Sequence, residues 1–386
     1  MSDHSERVPG YRQIRMAAPD APVAALADEE AWRAREAYPE ILGGGGPVFG
    51  VVREREEGGW QVLTHIGDRA PQDSRDTMAA LFRRAARDAE ETGDGAAARE
   101  YGAAAERLDW EAVDEMTVLG SRHRVVRAEQ FVRTGPDGPE PPRPSDPDPA
   151  APGRSHEVPD PVEGMVLDTL TATGMSEGIL KAELLSLVQG PGTVPPDVRA
   201  DSLRAAVTHP GGVLLPASYM IAERAGGQWE PVTTGCSTPQ AARDALAMDL
   251  RVMAPVLLRL DEQEREEYAR AADRLDAECG AEAEAAGRRF RVVRIERLVR
   301  VGPDGPEGPR PSDHDPQPPV KVHDRQLREQ GLVHDDEDDE DFEPSAEAKE
   351  MMALARKEQE RRRRLDEAGR GGARQGPEAQ DQARRA

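Results

Sequence analysis

The chain has 386 residues, a length that suits two domains, with a formal net charge of −23 and a hydrophobic share of 37%. That share lies below the roughly 45–50% usual for globular chains, and 33 Pro and 36 Gly lower the prospect that every part folds. The acidic balance argues against nucleic acid as a partner, since phosphate binding needs clustered positive charge. No run approaches the ~18 apolar residues of a membrane span, and MSDHSERVPGYRQIRM carries no hydrophobic signal core. Cys236 and Cys279 are too few for a disulfide framework and read as small buried residues. A soluble, cytoplasmic protein is expected. Arg far outnumbers Lys, which occurs only at 181, 321, 349 and 357, and Asn is absent, as in GC-rich bacterial genomes.

In chain order, residues 11–16 have the look of a short strand. Asp20 then precedes a helix from Pro22 to Tyr38, in which Val23, Leu26, Ala27, Ala31, Ala34 and Tyr38 recur near helical spacing. Gly43–Gly46 and Pro47 break the chain; no Lys-Ser/Thr follows, so the run is a linker and not a phosphate cradle. Two β-prone runs, 48–56 and 60–67, flank Gly58-Gly59 as a hairpin. Pro71 and Gly93 bound one helix, residues 96–116 predict a second, and 122–135 predict a closing strand.

The segment His123–Pro149, HRVVRAEQFVRTGPDGPEPPRPSDPDP, returns as Phe290–Pro316, FRVVRIERLVRVGPDGPEGPRPSDHDP. At a fixed offset of 167 (290 − 123) the two agree at 20 of 27 positions. The preceding elements return too: a hairpin over 219–235, a helix over 238–260 with Pro239, Arg243 and Asp244 matching Pro71, Arg75 and Asp76, and a helix over 261–278. Two copies at so long a period predict a pseudo-dimer of α+β units, each helix, hairpin, two helices and strand. Their sheets could join edge to edge or stack through helices; the sequence does not choose.

The expected boundaries are a first repeat over 1–134, a Pro-rich strap and linker over 135–159, a helical insertion over 160–190, a second repeat over 191–301 and a mostly disordered charged tail over 302–386. The insertion predicts two short helices, the second started by Ser176 and Glu177 with Ile179, Leu180, Leu184, Leu187 and Val188 as its apolar stripe. In the tail, eight acids fall within 335–343, followed by a candidate isolated helix over 344–367 with Glu-to-Arg pairs. Arg361–Arg364 lie on it as a solvated face or as a contact for nucleic acid or an acidic partner.

The closing strands alternate. Val126, Ala128 and Val132, with Val293, Ile295, Val299 and Val301, form a core face. Opposite lie Arg127, Glu129, Phe131 and Arg133, matched by Arg294, Glu296, Leu298 and Arg300. On a half-exposed sheet the charged members, Arg127, Glu129, Arg133, Arg294, Glu296 and Arg300, would either pair across strands or grip an anion or protein partner. GPDGPE begins as a Pro-Asp-Gly turn, and the Pro-rich run after it reads as a stiff strap over its own domain, or as a polyproline ligand. His314, His323 and His334 each precede Asp, but their spacing matches no compact metal site. No Gly-x-Ser-x-Gly, His-Glu-x-x-His or Cys-x-x-Cys motif occurs, and no cofactor is called for.

The phrases AERLDWEAVDEMTVLGSRHRVVRAEQFVRTGPDGPEPPRPSDPDP and PQDSRD resemble a family of uncharacterised actinobacterial proteins known as a domain of unknown function. The resemblance spans about residues 7–149 and again the second copy, and it implies an actinobacterial source but no activity. The first reading is a non-enzymatic binding or scaffold protein with an unidentified protein partner. The alternative is an enzyme of unrecognised type with its site between the repeats.

Overall fold

Two fifteen-residue strands, Ser121–Gly135 and Arg288–Gly302, lie side by side in the middle of one antiparallel sheet. The computed structural model describes residues 10–233, 235–332 and 344–373, with side chains described as far as Arg364. Its elements are α1 (Pro22–Ala37), β1 (Glu40–Gly43), β2 (Val48–Glu54), β3 (Trp60–Val62), α2 (Pro71–Glu91), α3 (Gly95–Trp110), β4 (Glu115–Val118) and β5 (Ser121–Gly135). There follow β6 (Gly138–Pro139), β7 (Val166–Leu167), α4 (Met175–Ser186), α5 (Pro196–Thr208), β8 (Gly211–Ala225) and β9 (Gln228–Pro231). The last are α6 (Pro239–Met248), α7 (Ala254–Leu257), α8 (Glu262–Glu278), β10 (Glu282–Ala285), β11 (Arg288–Gly302), β12 (Gly305–Pro306), α9 (Val320–Glu329) and α10 (Ala346–Ala373), with a π-helical turn at Asp249–Met253 between α6 and α7. The fold is mixed α+β.

The sheet order is β7-β3-β2-β5-β11-β8-β9, so β5 and β11 join the two hairpins edge to edge. Their register sets Phe131 opposite Glu296 and Glu129 opposite Leu298. Since 298 − 131 and 296 − 129 both equal 167, the offset that aligns the repeated phrase maps this register onto itself. Both strands carry Val-Val-Arg at the centre, and β-branched alternation suits a sheet covered on both faces.

Six apolar clusters hold the layers among the described residues, and three of them show how. Phe49, Val51 and Val125 pack under Met78, Phe82 and Leu108 of α2 and α3. Ile221 and Phe290 pack under Leu246, Tyr268 and Leu275 of α6 and α8. Between them α4 lays Leu180 and Leu184 on Phe131 and Leu298, one residue from each central strand. Leu184 and Leu298 are fully buried, and such a side chain stabilises by about 1.5–3 kcal/mol.

Several expectations need correction. The insertion over 160–190 holds one helix, not two: Val166 and Leu167 instead form β7 and pair with Gln61 and Trp60 at the hairpin edge. Residues 11–16 make a 3₁₀ turn and a single bridge, Met16 to Thr173, because no second strand runs beside them. The helix expected over 96–116 ends at Trp110, and 115–118 turns back as β4 against β5. Cys279 is exposed, at the left-handed C-cap of α8 with φ of 50°, not buried. The acidic run 335–343 lies outside the described residues. The preceding stretch, 302–332, is built into the fold, since β12, an extended strap and α9 all find partners. Nor does 344–367 stand alone: on α10, Glu358 is buried and accepts from Arg361 and Arg362, and Arg361 also donates to Asp276 of α8 at 2.8 Å.

Each strap crosses to the opposite half of the sheet, not over its own. The Arg294 N–H donates to Glu140 O at 2.8 Å, and the Arg127 N–H donates to Glu307 O at 2.9 Å. Arg291 donates to Pro139 O while stacked 4.7 Å from the Trp229 ring; Arg124 donates to Pro306 O while stacked 4.9 Å from Trp60. Asp148 and Asp315 then reach the first turns of α6 and α2, accepting the N–H groups of Gln240 (2.8 Å) and Gln72 (3.0 Å) and pairing with Arg243 and Arg75. A carboxylate there satisfies donors that no helical carbonyl can reach. The shared Pro-Gln-x-x-Arg-Asp and Ser-Asp-x-Asp-Pro phrases are thus the two sides of one repeated contact.

Candidate ligand cavity

The straps alter the setting of the Arg/Glu row. Arg127 is buried and pairs with Asp313 at 2.9 Å and Glu129 at 3.2 Å. Glu129 also accepts from Arg300 and Arg310. Burial alone would raise its carboxyl pKa, but Arg310, Arg127 and Arg300 outweigh that and hold it below the usual range. In the other half Arg294 bonds Asp146 at 3.1 Å and Glu296, while Arg143 reaches Glu296 at 3.2 Å. Arg133 bonds Glu183 of α4 at 2.8 Å, and Arg300 also donates to the carbonyls of Leu185 and Leu187. The expected half-exposed face is therefore covered. Arg127, Arg133 and Arg294 are occupied by carboxylates on the straps and α4. Arg300 bonds Glu129 of β5 and the two carbonyls and keeps Nη1 without a partner among the described residues, so the row serves first as a clasp.

Three of those six residues, Arg133, Arg294 and Glu296, also border a cavity of about 960 Å³. Its walls come from α1, the first strap, the insertion and the start of β8, so it lies where the two halves and the insertion meet. The volume is near the upper end of known small-molecule sites. Trp32, Met165, Ile179, Val213 and Leu215 supply apolar wall. Arg127, Glu129 and Arg300 are not among the lining residues.

Lys181 is the polar group the sequence reading missed. It lies on α4 one turn before Leu184, is 3% exposed, and borders the cavity. Among the described residues it forms no hydrogen bond and no ion pair; Asp168 and Glu177, on the same wall, are the carboxylates whose charge it feels. Burial pushes the amine down from the ordinary lysine value, and those two acids restore only part of the loss. A buried ammonium without a partner is costly, so the neutral amine gains population. The one available signal was compositional. In a chain with 51 basic residues but only four lysines, one stands on the apolar insertion helix.

The helix carrying Lys181 is firmly held. Asp28 of α1 accepts the Ser176 N–H at 2.8 Å, and Ser176 Oγ donates back to Asp28 O at 2.9 Å. Arg35 of α1 bonds Glu183 at 2.8 Å, and at Gly178 an added Cβ would stand 2.6 Å from Met16 Sδ. Across the cavity Tyr219 is buried, and burial together with Asp146 raises its hydroxyl pKa, keeping it a phenol. The cavity thus has mixed apolar and charged walls, with one amine that has no hydrogen-bond partner among the described residues, a phenol, and ion pairs fixed in place.

Among the described residues no group of three His, Cys, Asp or Glu is placed to hold a metal ion, and no helix is long and apolar enough to cross a membrane. No curated protein and no solved structure matches the chain. One family model covers residues 21–316, from the first residues before α1 to the end of the second strap, and the chain belongs to that family, DUF5954, a family of unknown function.

Proposed function

We propose that the protein is a non-enzymatic small-molecule binding protein whose ligand occupies the cavity beside α4. The observation that carries this is Lys181: a buried side chain whose amine has no hydrogen-bond partner among the described residues, on the wall of a chamber of about 960 Å³. A ligand that bonds this amine gains a hydrogen bond worth about 0.5–1.5 kcal/mol. A small molecule fits better than a macromolecule because both faces of the central strands are already covered. On this reading the chain is a duplicated α+β unit folded as an internal pseudo-dimer with exchanged straps, and the insertion makes one side of it unlike the other. The repeated contacts across β5 and β11 support that history.

Extraction of the purified full chain, with mass spectrometry of what it releases, tests the reading, alongside a thermal-shift screen of apolar compounds bearing one polar group. Ligands are expected to raise Tm for the parent protein and to lose their effect in Ala27→Trp, which fills the chamber from α1. If no compound raises Tm and Ala27→Trp is as stable as the parent, the chamber is packing slack and the proposal fails.

A second reading, an enzyme using Lys181, is favoured by its lowered proton affinity, which suits a nucleophile or base. Turnover of a bound ligand, lost in Lys181→Met, would identify it.

A further inference from the structure

We propose that Lys181 captures carbonyl compounds: an aldehyde or small ketone enters the cavity and condenses with Nζ to a Schiff base. This rests on the cavity being a ligand site and names the chemical class it takes. The other cations on the wall are committed elsewhere. Arg35 and Arg133 are held by Glu183, Arg143 by Glu140 at 2.6 Å, and Arg294 by Asp146. A carboxylate ligand would meet neutralised guanidinium groups, and would lie beside Asp168 and Glu177, which share the wall with Lys181. An uncharged carbonyl meets no such repulsion. It also suits an amine that burial disposes to be neutral, because the lone pair is the nucleophile.

The step balances without a further reagent. The Nζ lone pair attacks the carbonyl carbon, forming C–N, while the C=O π pair moves to oxygen, which takes a proton. Both protons come from nitrogen, each relayed by Asp168 or Glu177: the first makes the carbinolamine hydroxyl, and the second lets it leave as water, which leaves C=N and the carboxylate as it began. One amine and one carbonyl become one imine and one water, with no change of oxidation state. Tyr219, a phenol on the same wall, has its hydroxyl turned to Asp146 and stays out of the step.

The chain provides its own controls, because its other lysines are at 321, 349 and 357. Lys321 is paired with Glu106 at 2.7 Å, and that bond raises its pKa. The full-length protein would be incubated at pH 7 with hexanal or benzaldehyde and sodium cyanoborohydride, then digested and mapped by mass spectrometry. Reductive alkylation is expected to be faster at Lys181 than at Lys321, since burial lowers the proton affinity of the first amine and the Glu106 carboxylate raises that of the second. Ala27→Trp should abolish labelling at 181 and leave the other three unchanged. Equal rates at all four lysines, or labelling at 181 that Ala27→Trp does not alter, overturns the proposal. If compounds without a carbonyl still raise Tm in an Ala27-dependent way while Lys181 stays unlabelled, the cavity binds ligands and the capture chemistry is wrong. Failure of both assays removes the binding reading itself.

Discussion

The Asp315 carboxylate accepts the backbone N–H of Gln72 at 3.0 Å across 243 positions of chain, and with its second oxygen takes the Arg75 guanidinium at 2.5 Å. One side chain thus caps α2 and neutralises a buried arginine from the far end of the opposite strap. Asp148 does the same for Gln240 and Arg243 at the start of α6.

Asp315→Ala should therefore cost about 2 kcal/mol, combining a lost cap with a buried guanidinium that keeps only Asp114 as an acidic partner. Asp315→Asn retains an acceptor oxygen and should cost about half as much. Urea denaturation of both variants measures this. A loss below about 0.5 kcal/mol for the alanine would place it among ordinary surface changes and show the strap to be incidental.

Gly138 and Gly305 sit at φ of 107° and 110° inside the two Pro-Asp-Gly turns. A Cβ on Gly138 would lie 2.2 Å from the Trp229 indole nitrogen, and one on Gly305 would lie 2.6 Å from that of Trp60. Gly138→Ala adds this collision to backbone strain and should destabilise by about 3 kcal/mol. Gly120→Ala, at φ of 78° with open space around it, bears the strain alone and should cost about 1 kcal/mol. Thermal unfolding of the pair, read as a difference, tests whether the turn must press on the tryptophan.

His123 is buried edge-on against Phe82, and burial lowers its pKa below 6.5. A base with a lowered folded pKa resists protonation when folded, so the unfolded chain binds more protons as pH falls. Stability should hold above about pH 6.5 and decline from there down to the folded pKa. Glu129, held low by its three arginines, adds a further loss below the ordinary carboxylate range. His123→Phe, which installs the residue found at the matching position 290, should shrink the first decline, which His209, also lowered by burial, shares, and leave the second. Urea midpoints from pH 7.5 to pH 4 separate the two, and a parent protein whose midpoint is flat from pH 7.5 to 5 contradicts the assignment.

Lys181→Met should raise stability at pH 7 by about 1 kcal/mol, because it replaces a buried side chain whose amine has no hydrogen-bond partner among the described residues with an apolar chain of similar length. The sign follows from the lowered pKa: at neutral pH the unfolded lysine binds its proton more readily than the folded one. A gain in urea midpoint together with loss of carbonyl capture would mark a residue kept for chemistry at the expense of stability. A clear loss of stability would mean that the amine has a structural partner after all.

Local pattern was enough for some of this. Alternation along Val125–Arg133 and Val292–Arg300 marks both central strands, and Pro71 and Pro239 mark two helix starts, because side-chain period and proline geometry act within a few residues. The repeated phrase likewise marked Glu140–Asp148 and Glu307–Asp315 as matched segments before any contact was known. What those segments touch was decided at a distance. That Asp313 meets Arg127, that Asp315 caps Gln72, and that Lys181 faces a chamber and not solvent all depend on β5 lying beside β11. An ion pair between residues 186 apart leaves no mark on either neighbourhood in the chain, since any acid suits any arginine until the backbone brings one pair together.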